Sequence, residues 1–167
     1  TAHDTENGWG SGGWGGASES IIENTYNRCM IISTLPAARI PEVVALWEAT
    51  MLTRPWNDPA ADAQRALDNE GSTVLIGTEG TADGEIIASA MVGFDGHRGW
   101  VYYVAVDPQH QGMRLGERMM HAAEEWLRAR GAEKLQLMIR DENHAVRSFY
   151  RRLGYQTEEV AVMSIRL

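Results

Sequence analysis

The sequence predicts an α/β fold, a mixed sheet flanked by helices in one domain, and three observations carry that expectation. Apolar stretches of strand length alternate with segments whose apolar residues recur at helical spacing. Residues 100–106 are almost continuously apolar, the mark of a strand buried on both faces. A chain of 167 residues suits a single core, large enough to fold without disulfides or metals. No internal repeat and no second domain are visible.

Residues 1–27 stand apart. Glycine and serine dominate positions 8–20, where Trp9 and Trp14 are the only large apolar groups. Such a stretch buries too little surface to offset its ordering entropy, so it reads as a flexible arm preceding a domain over 28–167. Residues 29–33 then predict a first strand, with Cys29 a small core residue in it. Positions 36–51 predict a helix, since Ile40, Val43, Val44 and Trp47 fall at helical spacing. Two prolines bracket residues 53–59, which makes a rigid loop. Asp58 and Pro59 read as N-cap and first residue of a short helix over 60–69. Strands follow at 73–78 and 85–94, separated by turn-rich residues 79–84. Asp95-Gly96 is a strong hairpin cue and leads into the strand at 100–106.

The helix after it carries Leu115, Met119, Ala122, Ala123, Trp126 and Leu127 as an apolar stripe and stops at Gly131. A strand at 134–139, a helix at 144–153 closed by Gly154, and a last strand at 158–167 complete the order β-α-α-β-β-β-α-β-α-β. In the second of these helices Ala145, Phe149 and Leu153 form the expected buried stripe, which leaves Tyr150 about a quarter turn away, at the edge of the core.

Composition excludes several functions. A net charge of −8 argues against nucleic acid as a partner, because such binders present a basic field. It mildly favours a cationic acceptor. No apolar run is long enough to span a bilayer and no charged-then-apolar leader is present, so no membrane partner and a cytoplasmic location are expected. One cysteine allows no internal disulfide framework. His3, His110, His121 and His144 show no metal-ligand spacing, so no metal is expected.

The most informative stretch runs from Val104, Ala105 and Val106 through Asp107-Pro108 to Gln111, Gly112, Met113, Arg114, Leu115 and Gly116. An apolar strand ends in a proline turn, passes a glycine-containing loop and opens into an amphipathic helix. Free N–H groups and the helix dipole make such a terminus suited to a diphosphate. An ordinary connecting loop that uses its glycines for turning is the alternative. About thirty residues on stands N-x-A-x-x-x-F-Y-x-x-x-G-Y, beginning at Asn143 and including Tyr150.

Together the two segments resemble the GCN5-related N-acetyltransferase (GNAT) superfamily, over nearly everything after the N-terminal arm. The loop at 93–99 and the segment at 54–59 further resemble a small bacterial subgroup without a settled substrate. The resemblance implies acetyl-CoA as cosubstrate, its diphosphate on Gln111 to Gly116 and its pantetheine along Val104, Ala105 and Val106, through main-chain atoms. Asn143 would face the pantetheine arm. Tyr150 would give a proton to the departing sulfur, which a phenol with a pKa near ~10 can do at neutral pH. Arg114 departs from the pattern, standing where the family usually has glycine. It is tolerated if its backbone is already helical and its side chain swings outward, where it could reach a phosphate.

The expected reaction is transfer of an acetyl group to a primary amine, direct and in a ternary complex, since no covalent nucleophile is apparent. The acceptor is a small-molecule or protein amine; homodimer formation is left open. Glu48, Asp58, Glu85, Asp95 and His97 are all conceivable as the general base, though an extended strand would put His97 ~20 Å from Val104. Trp56 would wall the acceptor cleft or plug the helix pair. The alternative function is a non-catalytic acyl-CoA sensor on the same fold, which Arg114 keeps open.

Overall fold

The computed structural model describes residues 30–165. The expected arm at 1–27 and the placement of Cys29 lie outside them. Strands β1 (Met30–Thr34), β2 (Ser72–Glu79), β3 (Ile86–Phe94) and β4 (Gly99–Val106) pair antiparallel in succession, and β5 (Leu135–Gln136) joins β4 in parallel. Two helices, α1 (Ile40–Ala49) and α2 (Pro59–Asp68), pack on one face of the sheet. The other face carries α3 (Leu115–Arg128) and α4 (His144–Arg152).

The sheet therefore separates two cores. Val74 and Ile76 of β2 point at Val43, Leu46 and Trp47 of α1, whereas Leu75 points at Met119 and Ala123 of α3. This is the period-two alternation of a strand, with both faces covered. Burial on both sides was expected of residues 100–106 and is found in β2 instead, whose interior residues are all buried. β4 buries Val101 and Ala105 but leaves Tyr102 exposed.

Local chemistry explains the boundaries. The helix expected from position 36 begins with a 3-10 turn, Ala37–Arg39, and becomes α1 at Ile40. Pro41 has no N–H to donate and so belongs in a first helical turn, which sets the start there. Asp58 does cap α2, its carboxylate accepting from the Ala61 N–H at 3.0 Å, with Pro59 following. The 95–98 hairpin forms as expected, Asp95 Oδ1 accepting from the N–H groups of His97 and Arg98 at 2.8 and 2.6 Å.

Two strands differ from expectation. Of residues 134–139, only Leu135 and Gln136 enter the ladder, opposite Gly99 and Trp100. Residues 158–165 form no strand, and 166–167 lie outside the described residues. Val160, Val162, Met163 and Ile165 are exposed, so their apolar alternation has no partner strand to fix its register.

Candidate functional site

β4 is irregular where it matters. Ser89 pairs with Ala105 and Met91 with Tyr102, so two steps along β3 face three along β4. The extra residue is a bulge, which lets consecutive side chains share a face. Tyr102 lies opposite Met91, and both Met91 and Tyr103 pack against the α1/α2 core, so the two tyrosines face the same way. Tyr103 has φ +49°, a left-handed conformation that costs an aromatic residue about 1–2 kcal/mol. On its other edge β4 meets β5 only at Gly99 and Trp100. From Val101 to Val106 no strand lies on that side among the described residues, and the main chain there is open to a ligand.

At the end of this open edge the chain turns through Asp107, whose carboxylate accepts from the Gln109 N–H at 2.7 Å, and a 3-10 turn, Pro108–His110. His110 bridges strand ends, with Nδ1 at 3.3 Å from Asp107 and Nε2 at 3.7 Å from Glu79. Gly112 takes φ +83° and has open space where a side chain would stand. Arg114 is not in the right-handed helical conformation expected of it. It is the N-cap of α3 with φ +57° and ψ 19°, and its side chain makes no capping hydrogen bond. The loop thus keeps a left-handed step where glycine is usual, with an exposed arginine in it.

Leu115 is buried in the α3 core and Met113 packs against it, so both anchor the loop. A Cβ on Gly116 would stand 3.2 Å from the Phe149 ring and 3.6 Å from Val106. This glycine therefore lets α3 and α4 close upon β4. Residues 111–116 include no acidic side chain, Glu117 is the one acid in the first turn of α3, and the free N–H groups of that turn suit an anionic diphosphate.

Asn143 is the N-cap of α4, its Oδ1 accepting from the Val146 N–H at 3.2 Å. Ala145 is exposed, and the inward face of α4 is Val146, Phe149, Tyr150 and Leu153. Tyr150 consequently sits at the centre of that face, only 7% exposed, rather than at the core's edge. Its ring meets Phe149 and Tyr155 edge-on at 5.0 and 5.5 Å. Burial pushes its phenol up to about 12, so it is protonated throughout the neutral range. Tyr150 and Arg147 line a cavity of about 710 Å³ between α3, β5 and α4, whose walls include Glu124, Leu127 and Leu137. Val104, Ala105, Val106 and residues 111–116 do not line it.

The conceivable bases are scattered. Asp58 caps a helix and Asp95 closes the hairpin, its carboxyl held at about 2 by the N–H of Arg98, the Trp100 indole and the N–H of His97. Glu48, Glu85 and His97 are exposed, as is Trp56. Sequence reasoning missed the residues that surround Tyr103. Its ring stacks on Trp47 at 4.2 Å, its hydroxyl donates to Asp62 at 2.9 Å, and its carbonyl accepts from the Ser89 hydroxyl at 3.0 Å. The one available signal was the Tyr102-Tyr103 pair, a doubled large residue in a strand. Among the described residues no cluster of histidine, cysteine and carboxylate side chains could hold a metal, and no helix is long and apolar enough to cross a membrane.

Known proteins share this architecture. The acetyltransferase (GNAT) family profile matches residues 41–155. An acetyltransferase of Yersinia pestis (strain Pestoides F) is 39% identical over 126 residues, covering 75% of this chain and 87% of its own. An acetyltransferase of Yersinia enterocolitica is 37% identical over 138 residues, covering 83% of this chain and 96% of its own. Among solved structures, an aminoglycoside N-acetyltransferase in complex with CoA has the same fold, with a TM-score of 0.70 at 16% identity over 82% of this chain and 94% of its own. The chain therefore belongs to the acetyltransferase (GNAT) family and is an acetyl-CoA-dependent acetyltransferase.

Proposed function

We propose that the protein transfers the acetyl group of acetyl-CoA directly to a primary amine, with donor and acceptor bound together. The observation that carries this reading is the open edge of β4 running without interruption into the loop and helix terminus of α3. In this reading main-chain groups of Val104, Ala105 and Val106 hold the pantetheine. The loop of Gln111, Gly112, Met113, Arg114, Leu115 and Gly116 holds the diphosphate, and Asn143 stands beside the arm. The acceptor nitrogen attacks the thioester carbonyl carbon, a C–N bond forms, the C–S bond breaks, and the nitrogen's proton leaves through water. Tyr150 is assigned the proton taken up by the departing sulfur, which puts that sulfur where the donor edge of β4 meets the cavity its ring lines, and the phenol regains a proton from water.

The left-handed step at Arg114 supports acyl-CoA binding by this loop, which the transfer reading shares with a non-catalytic acyl-CoA sensor. A small amine is the favoured acceptor, since the solved relative above is named for aminoglycosides and this chain carries net charge −8. Activity in the cytoplasm belongs to the same proposal. The test is free-thiol release from acetyl-CoA across a panel of small amines, aminoglycosides, peptide N-termini and lysine peptides. Acceptor-dependent release supports the reading. Tight acetyl-CoA binding without release for any acceptor would favour the sensor.

A further inference from the structure

We propose that Tyr103 and Asp62 are positioning residues for acetyl transfer, through which α1 and α2 hold the β4 bulge in the shape that frees its main chain for the acyl donor. The proposal rests on the assignment of Val104, Ala105 and Val106 to the donor. Tyr103 is next to Val104, and every part of it that can be gripped is gripped. The ring is stacked on Trp47 of α1 with the planes 22° apart. The hydroxyl donates to Asp62 of α2, and that carboxylate is itself paired with Arg65.

The carbonyl is claimed by Ser89 of β3, whose hydroxyl also accepts from the Trp47 indole N–H at 2.9 Å. Trp47 and Ser89 are fully buried, so these hydrogen bonds have no water to compete with them. Burial and the bond to Asp62 raise the Tyr103 phenol, against a lowering by the Asn57 side chain and Arg65, and it stays protonated and donates.

A tyrosine that merely packed would need its ring held and nothing more. Here three elements converge on one residue whose backbone is left-handed, and the strain they hold sits beside the open edge of β4. Strained backbone persists where its surroundings over-determine it, and it gathers at functional sites. Without the grip on Tyr103 the extra residue is free to move along β4, and the main-chain groups of Val104 and Ala105 rotate out of register.

The test uses Tyr103→Phe, Asp62→Ala and Asp62→Asn in the full chain. Turnover is measured with an acceptor from the amine panel, CoA affinity by calorimetry, and the Val104 and Ala105 amides by NMR. Tyr103→Phe and Asp62→Ala should lower kcat by about 10–100-fold, the scale of a small misplacement of bound groups. They should shift both amides in the ligand-free protein and lower kcat by more than they weaken CoA, with the acceptor's KM held within about threefold. Asp62→Asn still accepts from the phenol and should return kcat to within about threefold of the parent.

Parental kcat with unmoved amides in Tyr103→Phe would overturn the proposal and leave Tyr103 a packing residue. An asparagine variant as slow as the alanine variant would place the requirement on charge and overturn it equally. If Asp62→Ala does not fold, Tyr103→Phe, which keeps the stacked ring, decides. A failure of the donor assignment shows separately, in the parent, as amides at 104–106 that do not respond to saturating acetyl-CoA.

Discussion

Replacing Arg114 by glycine should make the protein more stable and its hold on acetyl-CoA weaker, two effects of opposite sign with separate causes. Arg114 occupies the left-handed region, where a residue with a Cβ pays about 1–2 kcal/mol. No side-chain capping bond offsets that cost. Glycine removes the clash but gains freedom in the unfolded chain, which returns about 0.4–1 kcal/mol. The net gain is centred on about 0.8 kcal/mol, or a rise of roughly 2–3 °C in Tm for a domain of this size. Melting must be followed without ligand, because CoA raises the apparent Tm by mass action.

The affinity effect is electrostatic. An exposed guanidinium beside the free N–H groups of α3 adds a charge-assisted contact to a phosphate, and its loss should weaken CoA by up to tenfold, ~1.4 kcal/mol. Calorimetric titration at low and high salt checks the cause, since the difference between parent and variant should shrink as salt screens the charge. A lower ligand-free Tm for the glycine variant would refute the strain argument. Markedly tighter CoA binding would show that Arg114 obstructs the loop and would refute the electrostatic one.

Gly116→Val should both destabilise the protein by about 1–3 kcal/mol, because its side chain must displace the Phe149 ring, and weaken CoA; unchanged melting and titration would remove Gly116 from the site. Tyr150→Phe should lower turnover about 10²–10⁴-fold with CoA affinity unchanged, measured as thiol release when chemistry limits the rate. The same variant has a pH signature. The folded phenol lies at about 12, above its unfolded value near ~10, so its stabilising effect is complete below the lower value and is lost as pH rises through the upper. Denaturant titrations across that alkaline range should show a shallower loss of stability for phenylalanine. Asp95 behaves oppositely. Its carboxyl is held at about 2, so the stabilisation it gives the hairpin is present above the usual carboxylate range and is lost as pH falls towards 2. Protection of the His97 and Arg98 amides, taken relative to their intrinsic exchange rates, should fall over that acid range in the parent, and at neutral pH in Asp95→Ala.

Features written in local chemistry were legible in the sequence. Asp58-Pro59 as a helix start and Asp95-Gly96 as a hairpin each need only neighbouring residues, and both form as expected. The alternation of strands and helices was legible for the same reason as far as α4. What failed depends on distant partners. The strand expected over 158–167 has the right alternation, but a strand exists only when something pairs with it. Leu137 and Ile139 left the ladder of β5 because β4 and the segment after Gln136 diverge. In α4 the inward face turned by about one residue, from Ala145 to Val146, since contact with β4 and α3 chooses among overlapping apolar stripes. At the site, the motifs located the loop and Tyr150. They could not show the left-handed Arg114, nor the grip of Trp47, Asp62 and Ser89 on Tyr103, because those residues lie far apart in the chain.

The divergence of β4 from β5 gives the free protein a mark that can be read by isotope labelling. A strand hydrogen-bonded on both sides hides its amides from solvent, whereas one with a single neighbour hides only every other one. Along β4, amides turned towards β3 should resist deuterium until the sheet opens, while those turned towards β5 beyond Trp100 should exchange at rates near those of a loop. Acetyl-CoA lying in the gap would convert that alternating record into a continuous one, slowing the fast amides and leaving the slow ones as they were. Such a record reads occupancy of the donor site residue by residue, before any acceptor is known.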